Sequence, residues 1–348
     1  MTATAEPAVG LSSLTADDIA AVPAEVAERI RDARNVLTLC HENPESDALG
    51  SALAIALAVE ELGARATPVC SDVVPSMYGF MPRIERFRQD PEPDHDYDLI
   101  VVGDCGELSR VGPVLQRNAE LFERVPIVNI DHHVSNTGFG TLDWIDPRAA
   151  ATCEMATLLM PVLGVPLPAA DGAIAASLIA GVVIDTANFQ HPNTTPRTLR
   201  VAAELVAAGA PLFDTARLLY RTKPNHQLVL FGTVLARLES ALDGRLVWTV
   251  LEQADLTRTG STRADAEGLI DLLSQSATAD IAILFKEAEG ETRISVRTSE
   301  GGADATVLTG RFGGGGHARA AGATVPLPLP QATAAVLREA EQLLGGGQ

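Results

Sequence analysis

Lysine is almost missing from this sequence. Lys223 and Lys286 are the only two in 348 residues, and arginine brings the basic total to 26 against 45 aspartates and glutamates. The net charge of −19 excludes the broad basic surface that tracks long or duplex nucleic acid through its phosphates. It leaves room for a small anionic substrate, because a site that gathers metal cations is locally positive inside a negative whole. Aromatic residues are scarce at 4%, and there are four cysteines. Cys40, Cys70, Cys105 and Cys153 share no paired spacing. That excludes a disulfide framework or a cysteine zinc site and fits buried thiols in a reducing compartment. Long hydrophobic runs are lacking too. The longest, Ala173 to Ile184, is 12 residues, short of the ~20 that a membrane-spanning helix needs. The first 25 residues have no basic start of a secretory signal. A cytoplasmic protein is expected.

What is present is an apolar content of 46% and enough length for two domains of about 150 residues each. Residues 1–24 are small and polar and read as a flexible tail. Four aliphatic runs follow, Asn35–Cys40, Ala66–Ser71, Asp98–Gly103 and Pro126–Ile130, with helical spacing between them, as in Asp47–Leu62. Continuous apolar strands alternating with helices predict a parallel sheet covered on both faces. Helical spacing then dominates in Thr152–Leu163, Ala169–Ile184, Thr195–Ala208, Pro211–Tyr220 and Asn225–Leu242. From Gly244 the pattern returns to strands at Arg245–Leu251, Asp280–Lys286, Thr292–Thr298 and Ala323–Val325, with helices at Ala264–Ser276 and Asp304–Phe312. The fold class expected is α/β. It comprises a parallel-sheet N-terminal domain over 25–224, a connector helix over 225–243 and a smaller α/β domain over 244–340.

Polar residues cluster where the strands end. The first strand runs into His41-Glu42-Asn43-Pro44-Glu45-Ser46-Asp47, the third into Asp104, and the fourth into Asp131-His132-His133. In an open parallel sheet the C-terminal strand ends face one crevice, where ligands bind. Asp185 directly follows an apolar stretch, where an acid is costly unless paired or metal-bound. Imidazoles with an excess of carboxylates suit Mn²⁺ or a similar divalent ion better than structural zinc. Two such ions bridged by a carboxylate activate water and neutralise phosphoryl charge. Farther on, Gly313–Gly316 can offer backbone N–H groups to a phosphate, since glycine permits close approach.

His41–Ser51 resembles the first motif of the DHH phosphoesterases, and Asp131-His132-His133 is the motif that names them. Val102-Gly103-Asp104 and Gly181–Thr186 are similar to the other two metal motifs, and Phe312–Gly322 resembles the glycine-rich signature of the DHH-associated C-terminal domain. The resemblance covers roughly residues 30–330. It implies two divalent cations, Mn²⁺ first, with Mg²⁺ or Co²⁺ as alternatives. His41, Glu45 and Asp104 would hold one; Asp47, Asp104, His132 and Asp185 would hold the other, with Asp104 bridging. His133 would lie near the phosphate and Asp131 would orient a histidine through its ring N–H. Glu45 stands where the family usually has aspartate, and the extra methylene implies an altered first metal. Gly314, Gly315, Gly316 and His317 would anchor substrate phosphate, with Arg110 and Arg297 as further phosphate contacts and the active site in a cleft between the two domains. The implied activity is metal-dependent hydrolysis of short oligoribonucleotides or adenosine 3′,5′-bisphosphate. A linear or cyclic dinucleotide phosphodiesterase and a catalytically weak nucleotide-binding relative stay open. The partners expected are short RNA or small nucleotides and a second copy in a homodimer, with neither duplex nucleic acid nor membrane.

Overall fold

The computed structural model describes residues 13–93, 95–299 and 301–345, so the first half of the expected tail lies outside the described residues. The chain divides into two units, Met1–Thr222 and Lys223–Gln348. The first begins with α1 (Ala16–Ala20) and α2 (Ala24–Asp32), which corrects the tail expected to run through residue 24. The physical reason is a capping box. The Thr15 hydroxyl accepts the Asp18 N–H at 3.2 Å, and the Asp18 carboxylate accepts the Thr15 N–H at 2.8 Å. Arg200 then grips both Asp18 oxygens at 2.8 and 2.9 Å, tying this short helix down.

The strands and helices that follow are β1 (Asn35–Leu39), α3 (Ser46–Glu61), β2 (Arg65–Val69), β3 (Leu99–Gly103), α4 (Pro113–Arg117), α5 (Ala119–Arg124), β4 (Ile127–Asp131) and β5 (Leu142–Ile145). They form one all-parallel sheet of order β2-β1-β3-β4-β5. Alternate residues serve its two faces. Leu37, Leu39, Ile100 and Val102 pack with Val114 and Phe122, while Val36, Leu99, Val101 and Val128 join the core made with α2 and α3. The strand order reverses between β1 and β3, the switch point where such sheets open a ligand crevice. β5 was not anticipated, because Leu142-Asp143-Trp144-Ile145 is a short edge segment without an aliphatic run.

Four helices complete the unit: α6 (Thr152–Leu163), α7 (Ala173–Asp185), α8 (Pro196–Ala207) and α9 (Leu212–Tyr220). α7 is apolar all round and buried from Ala173 to Val183, as a central helix must be. Its approach to α3 depends on glycine. A Cβ on Gly50 would lie 2.5 Å from the Ser177 carbonyl oxygen, and one on Gly181 would lie 2.4 Å from both Asp47 Oδ1 and Cys153 Sγ.

In the second unit α10 (Asn225–Leu235) is shorter than the connector expected over 225–243, because residues Glu239–Ala241 form the edge strand β6. β7 (Leu246–Leu251), α11 (Gln253–Thr259), α12 (Leu269–Leu273), β8 (Ile281–Ala288), β9 (Glu291–Thr298), α13 (Ala305–Gly310), β10 (Gly315–His317), β11 (Ala320–Val325) and α14 (Leu329–Gly345) follow. The sheet order is β10-β11-β9-β8-β7-β6, antiparallel except for the parallel pair β7/β8. The single helix expected over Ala264–Ser276 is interrupted at Gly268, whose φ of +81° is left-handed, leaving a 3₁₀ turn over Ala264–Ala266 and then α12. α14 was also not anticipated. Prolines crowd its start, where they are tolerated, and Ala332, Val336, Ala340 and Leu344 bury one stripe four residues apart.

Two glycine substitutions separate close packing from open helix surface. Gly50→Ala should lower stability by about 1–3 kcal/mol, the usual cost of overpacking. Gly232→Ala, in α10 with nothing within 4 Å of the new methyl, should raise it by up to about 1 kcal/mol. Urea midpoints of the two variants should move in opposite directions.

Candidate metal centre

Each side chain of the cluster is placed by an element end. His41 and Glu45 lie on the loop leaving β1, and Asp47 sits in the first turn of α3. Asp104 follows β3 in a left-handed conformation, φ +56°, that non-glycine residues adopt at a cost and that recurs at functional sites. Asp131 ends β4, with His132 and His133 just beyond, and Asp185 is the last residue of α7. His41, Asp47, Asp104 and Asp131 are all buried.

Hydrogen bonds fix which face each ring presents. His41 Nδ1 lies 2.7 Å from the Glu42 carbonyl oxygen, so it donates there and Nε2 turns to Glu45 Oε1 at 3.1 Å and Asp104 Oδ2 at 3.6 Å. His132 Nδ1 lies 3.3 Å from the Ala149 carbonyl, and its Nε2 is 3.5 Å from Asp104 Oδ1 and 3.2 Å from Asp185 Oδ2. The two oxygens of Asp104 thus face two different imidazoles. Asp47 accepts the Thr152 and Cys153 N–H groups at 2.7 and 2.8 Å, from the start of α6. The Thr152 hydroxyl donates to Asp104 Oδ1 at 3.1 Å. His133 Nδ1 meets Asp131 Oδ1 at 2.7 Å, and Asn136 Nδ2 donates to Asp131 Oδ2 at 2.6 Å.

The electrostatics are those of crowded acids. Burial pushes the Asp47 carboxyl well up, and the charges of Asp185 and Asp104 push it further. Burial likewise raises Glu45 and Asp185; at the C-terminal end of α7 the helix dipole also disfavours an Asp185 anion. Burial works against ionised Asp104 too, yet its bonds to His132 and His41 hold it well below the usual carboxylate range. Burial also disfavours charged imidazoles, but the carboxylates outweigh it, lifting His41 to about 10 and His132 to about 12. Hydrogen bonding to Asp131 raises His133.

This donor set fits divalent cations. Five carboxylates (Glu45, Asp47, Asp104, Asp131 and Asp185) face three imidazoles, and among the described residues none of the five has a lysine or arginine partner. Such a surplus of buried anions calls for positive charge. His41, Glu45 and Asp104 each offer one ligand atom within 4.8 Å of the others, and Asp47, His132 and Asp185 form a second such set. A third joins Asp104, His132 and His133. The extra methylene of Glu45 does not take its carboxylate out of reach of His41.

The remaining sequence-predicted residues are not members of this cluster's ligand sets. Arg110 is exposed on the turn after β3, and its carbonyl accepts the Glu42 N–H at 2.7 Å. Arg297, Gly314, Gly315, Gly316 and His317 belong to the second unit. Arg297 donates to Asp271 Oδ1 at 3.0 Å. The glycine run is less open than a phosphate cradle. The Gly314 N–H is committed to the Thr309 carbonyl at 2.9 Å, and a Cβ there would meet the Gly322 oxygen at 2.2 Å. Gly315, Gly316 and His317 are exposed on the edge strand β10. Arg297 and His317 both pair with Ala320 of β11 and so share a sheet face. Sequence reasoning missed Thr152, Asn136 and the Ala149 carbonyl. The helix start at Thr152 was legible, but its contact with Asp104 joins positions 48 residues apart.

The comparisons agree with this geometry. Residues 35–182 match the DHH family, N-terminal domain, and residues 246–346 match the DHHA1 domain. Over 306 residues the chain is 35% identical to the bifunctional oligoribonuclease and PAP phosphatase NrnA of Thermus thermophilus, covering 87% of this chain and 88% of that protein. The protein of the same name from Bacillus subtilis is 30% identical over 200 residues, 57% of this chain and 62% of its own length. The crystal structure of an exopolyphosphatase-related protein from Bacteroides fragilis shares the fold, with a TM-score of 0.82 at 20% identity and coverage of 94% and 97% of the two chains. The chain belongs to the DHH phosphoesterase family and carries its DHHA1 domain. Among the described residues no helix is long and apolar enough to cross a membrane.

Metal uptake should release protons. His41 and His132 keep theirs up to about 10 and about 12 in the ion-free protein, whereas an imidazole must be neutral to bind a metal. Apparent Mn²⁺ affinity should therefore climb as pH rises from 6 to 8. Calorimetric enthalpies should differ between buffers of different ionisation enthalpy; identical enthalpies would show that neither imidazole is a ligand.

Proposed function

We propose that the protein is a Mn²⁺-dependent phosphoesterase that hydrolyses short oligoribonucleotides, adenosine 3′,5′-bisphosphate, or both. The observation that carries this reading is Asp104, buried, with one oxygen toward each of two histidines and flanked by two ligand sets. The printed activity of the Thermus thermophilus relative, matched along 88% of its length, supports the substrate class.

His41, Glu45 and Asp104 would hold one cation, and Asp47, Asp104, His132 and Asp185 the other. Divalent cations there would supply charge neutralisation at the phosphoryl group and activation of the attacking water. The chain's own groups do the rest. Asp131, itself held by Asn136, fixes the His133 ring and favours its protonated form. His133, with 35% of its side chain exposed, then donates to a phosphate oxygen and is placed to protonate the leaving oxygen. Arg110 binds phosphate. Arg297 and His317 on one sheet face of the second unit, with the exposed Gly315 and Gly316, hold the far phosphate or base. Anchoring a short substrate at few points suits a protein whose net charge of −19 offers no long phosphate track.

Two measurements test this. A panel of RNAs from dimers to 24-mers, the bisphosphate and linear and cyclic dinucleotides, run with Mn²⁺ and with Mg²⁺, should show fastest turnover on the dimers or the bisphosphate with Mn²⁺. Tight nucleotide binding without turnover under either ion would reject the enzyme in favour of a nucleotide-binding protein. Asp104→Asn should lower turnover by more than the ~10–100-fold that loss of an outer partner of a metal ligand costs, with the fold retained by circular dichroism. Near-normal turnover in that variant would remove Asp104 from the bridging position.

A further inference from the structure

One short segment holds half of the candidate metal ligands. Residues 146–153 supply the Ala149 carbonyl to His132, the Thr152 and Cys153 N–H groups to Asp47, and the Thr152 hydroxyl to Asp104. None of these contacts depends on the charge of the segment itself; three are made by its backbone and one by the Thr152 hydroxyl. Three of the six carboxylate and imidazole groups in the first and second ligand sets, His132, Asp47 and Asp104, are therefore held by eight residues of chain.

That segment is clamped from behind by one arginine. Arg197, in the first turn of α8, donates through Nη1 to Asp146 Oδ2 at 2.9 Å and through Nε to Glu154 Oε1 at 2.5 Å. Asp146 stands at the start of the segment and Glu154 just past its end. Glu154 is fully buried, and its other oxygen accepts the Thr198 hydroxyl at 2.7 Å and the Ala150 N–H at 3.3 Å. Asp146 in turn ties the segment to the strand that carries the histidine pair. Its N–H donates to the Asp131 carbonyl at 3.1 Å, and its carbonyl accepts the Ala149 N–H at 2.9 Å. The Arg197 side chain is only 14% exposed, and its Nη2 is buried with no hydrogen-bond partner among the described residues.

We infer that Arg197, through Asp146 and Glu154, is a positioning residue that sets the metal affinity of the Asp47–His132–Asp185 site. A buried, incompletely paired ion triad is a poor device for stability, since apolar packing of the same volume does as well; its best-attested use is to hold one geometry. Here it holds the two ends of the segment at a fixed separation. Loss of the clamp frees the Ala149 carbonyl and the α6 N–H groups to drift, and His132 and Asp47 drift with them. The inference rests on the metal-centre reading above.

The test is Mn²⁺ titration of the full-length protein by calorimetry, with turnover measured across Mn²⁺ concentrations. Arg197→Met and the gentler Glu154→Gln, which keeps volume but replaces one acceptor oxygen with an amide donor and loses the charge facing Arg197, should weaken Mn²⁺ binding by ~10–100-fold, the range for outer-sphere partners of metal ligands. Excess Mn²⁺ should restore most of kcat. Arg237→Met is the control. It breaks a pairing with Asp255 in the second unit and should reduce thermal stability without moving Mn²⁺ affinity. Wild-type affinity in folded Glu154→Gln, or affinity lowered equally in Arg237→Met, overturns the positioning role. Failure of the unsubstituted protein to bind Mn²⁺ overturns the metal reading itself.

Discussion

The first unit is organised around the cost of burying acids together. Asp47, Asp104 and Asp131 are each 1% exposed or less, and among the described residues none has a lysine or arginine partner. An isolated carboxylate in such surroundings would take up a proton or pull in water. The fold sets histidines and aimed N–H groups against them instead. Asp104 stays ionised between His41 and His132, while Asp47 is held by two amides at the start of a helix, where the backbone is positively polarised. The cluster remains short of lysine and arginine, and that shortage is what suits it to a divalent cation.

The sheet topology explains why these groups meet. Three neighbouring parallel strands end at the same edge, and the reversal of strand order between β1 and β3 keeps helices from covering it. α7 then enters from behind, apolar along its length, and delivers Asp185 at its tip. The delivery depends on close helix packing: Gly181 lets α7 pass within a methyl's width of Asp47, and Gly50 lets α3 approach the α7 backbone. Packing and chemistry are not separable here, because a glycine in one helix sets the position of a carboxylate in another.

Positions around the candidate metal ligands carry a second layer of order. Asn129 donates to Asn136 Oδ1, Asn136 donates to Asp131, and Asp131 holds the His133 ring. On the other side, the segment beginning at Asp146 orients His132 and Asp47. Apart from Asp131 itself, both chains of contact run through backbone amides and carbonyls or neutral side chains, which hold direction without adding charge.

The sequence alone determined the chemistry on offer and its rough address. Continuous aliphatic runs at 35–40, 98–103 and 126–130 fixed a parallel sheet, and the acids and imidazoles after each run were bound to share an edge, because parallel strands point their ends one way. Strand period and strand-end position are local properties, so they were legible. Tertiary structure decided the rest. The capped helix at Ala16–Ala20, the break at Gly268 and the strand within the glycine run each depend on partners distant in the chain or on a single left-handed residue. Which oxygen of Asp104 faces which histidine, and that Thr152 bonds Asp104 from 48 residues away, follow from contacts between elements far apart in sequence; that Asn136 and Ala149 hold Asp131 and His132 follows from how the chain folds back after β4. No periodicity encodes such contacts; they exist only once the core has brought those elements together.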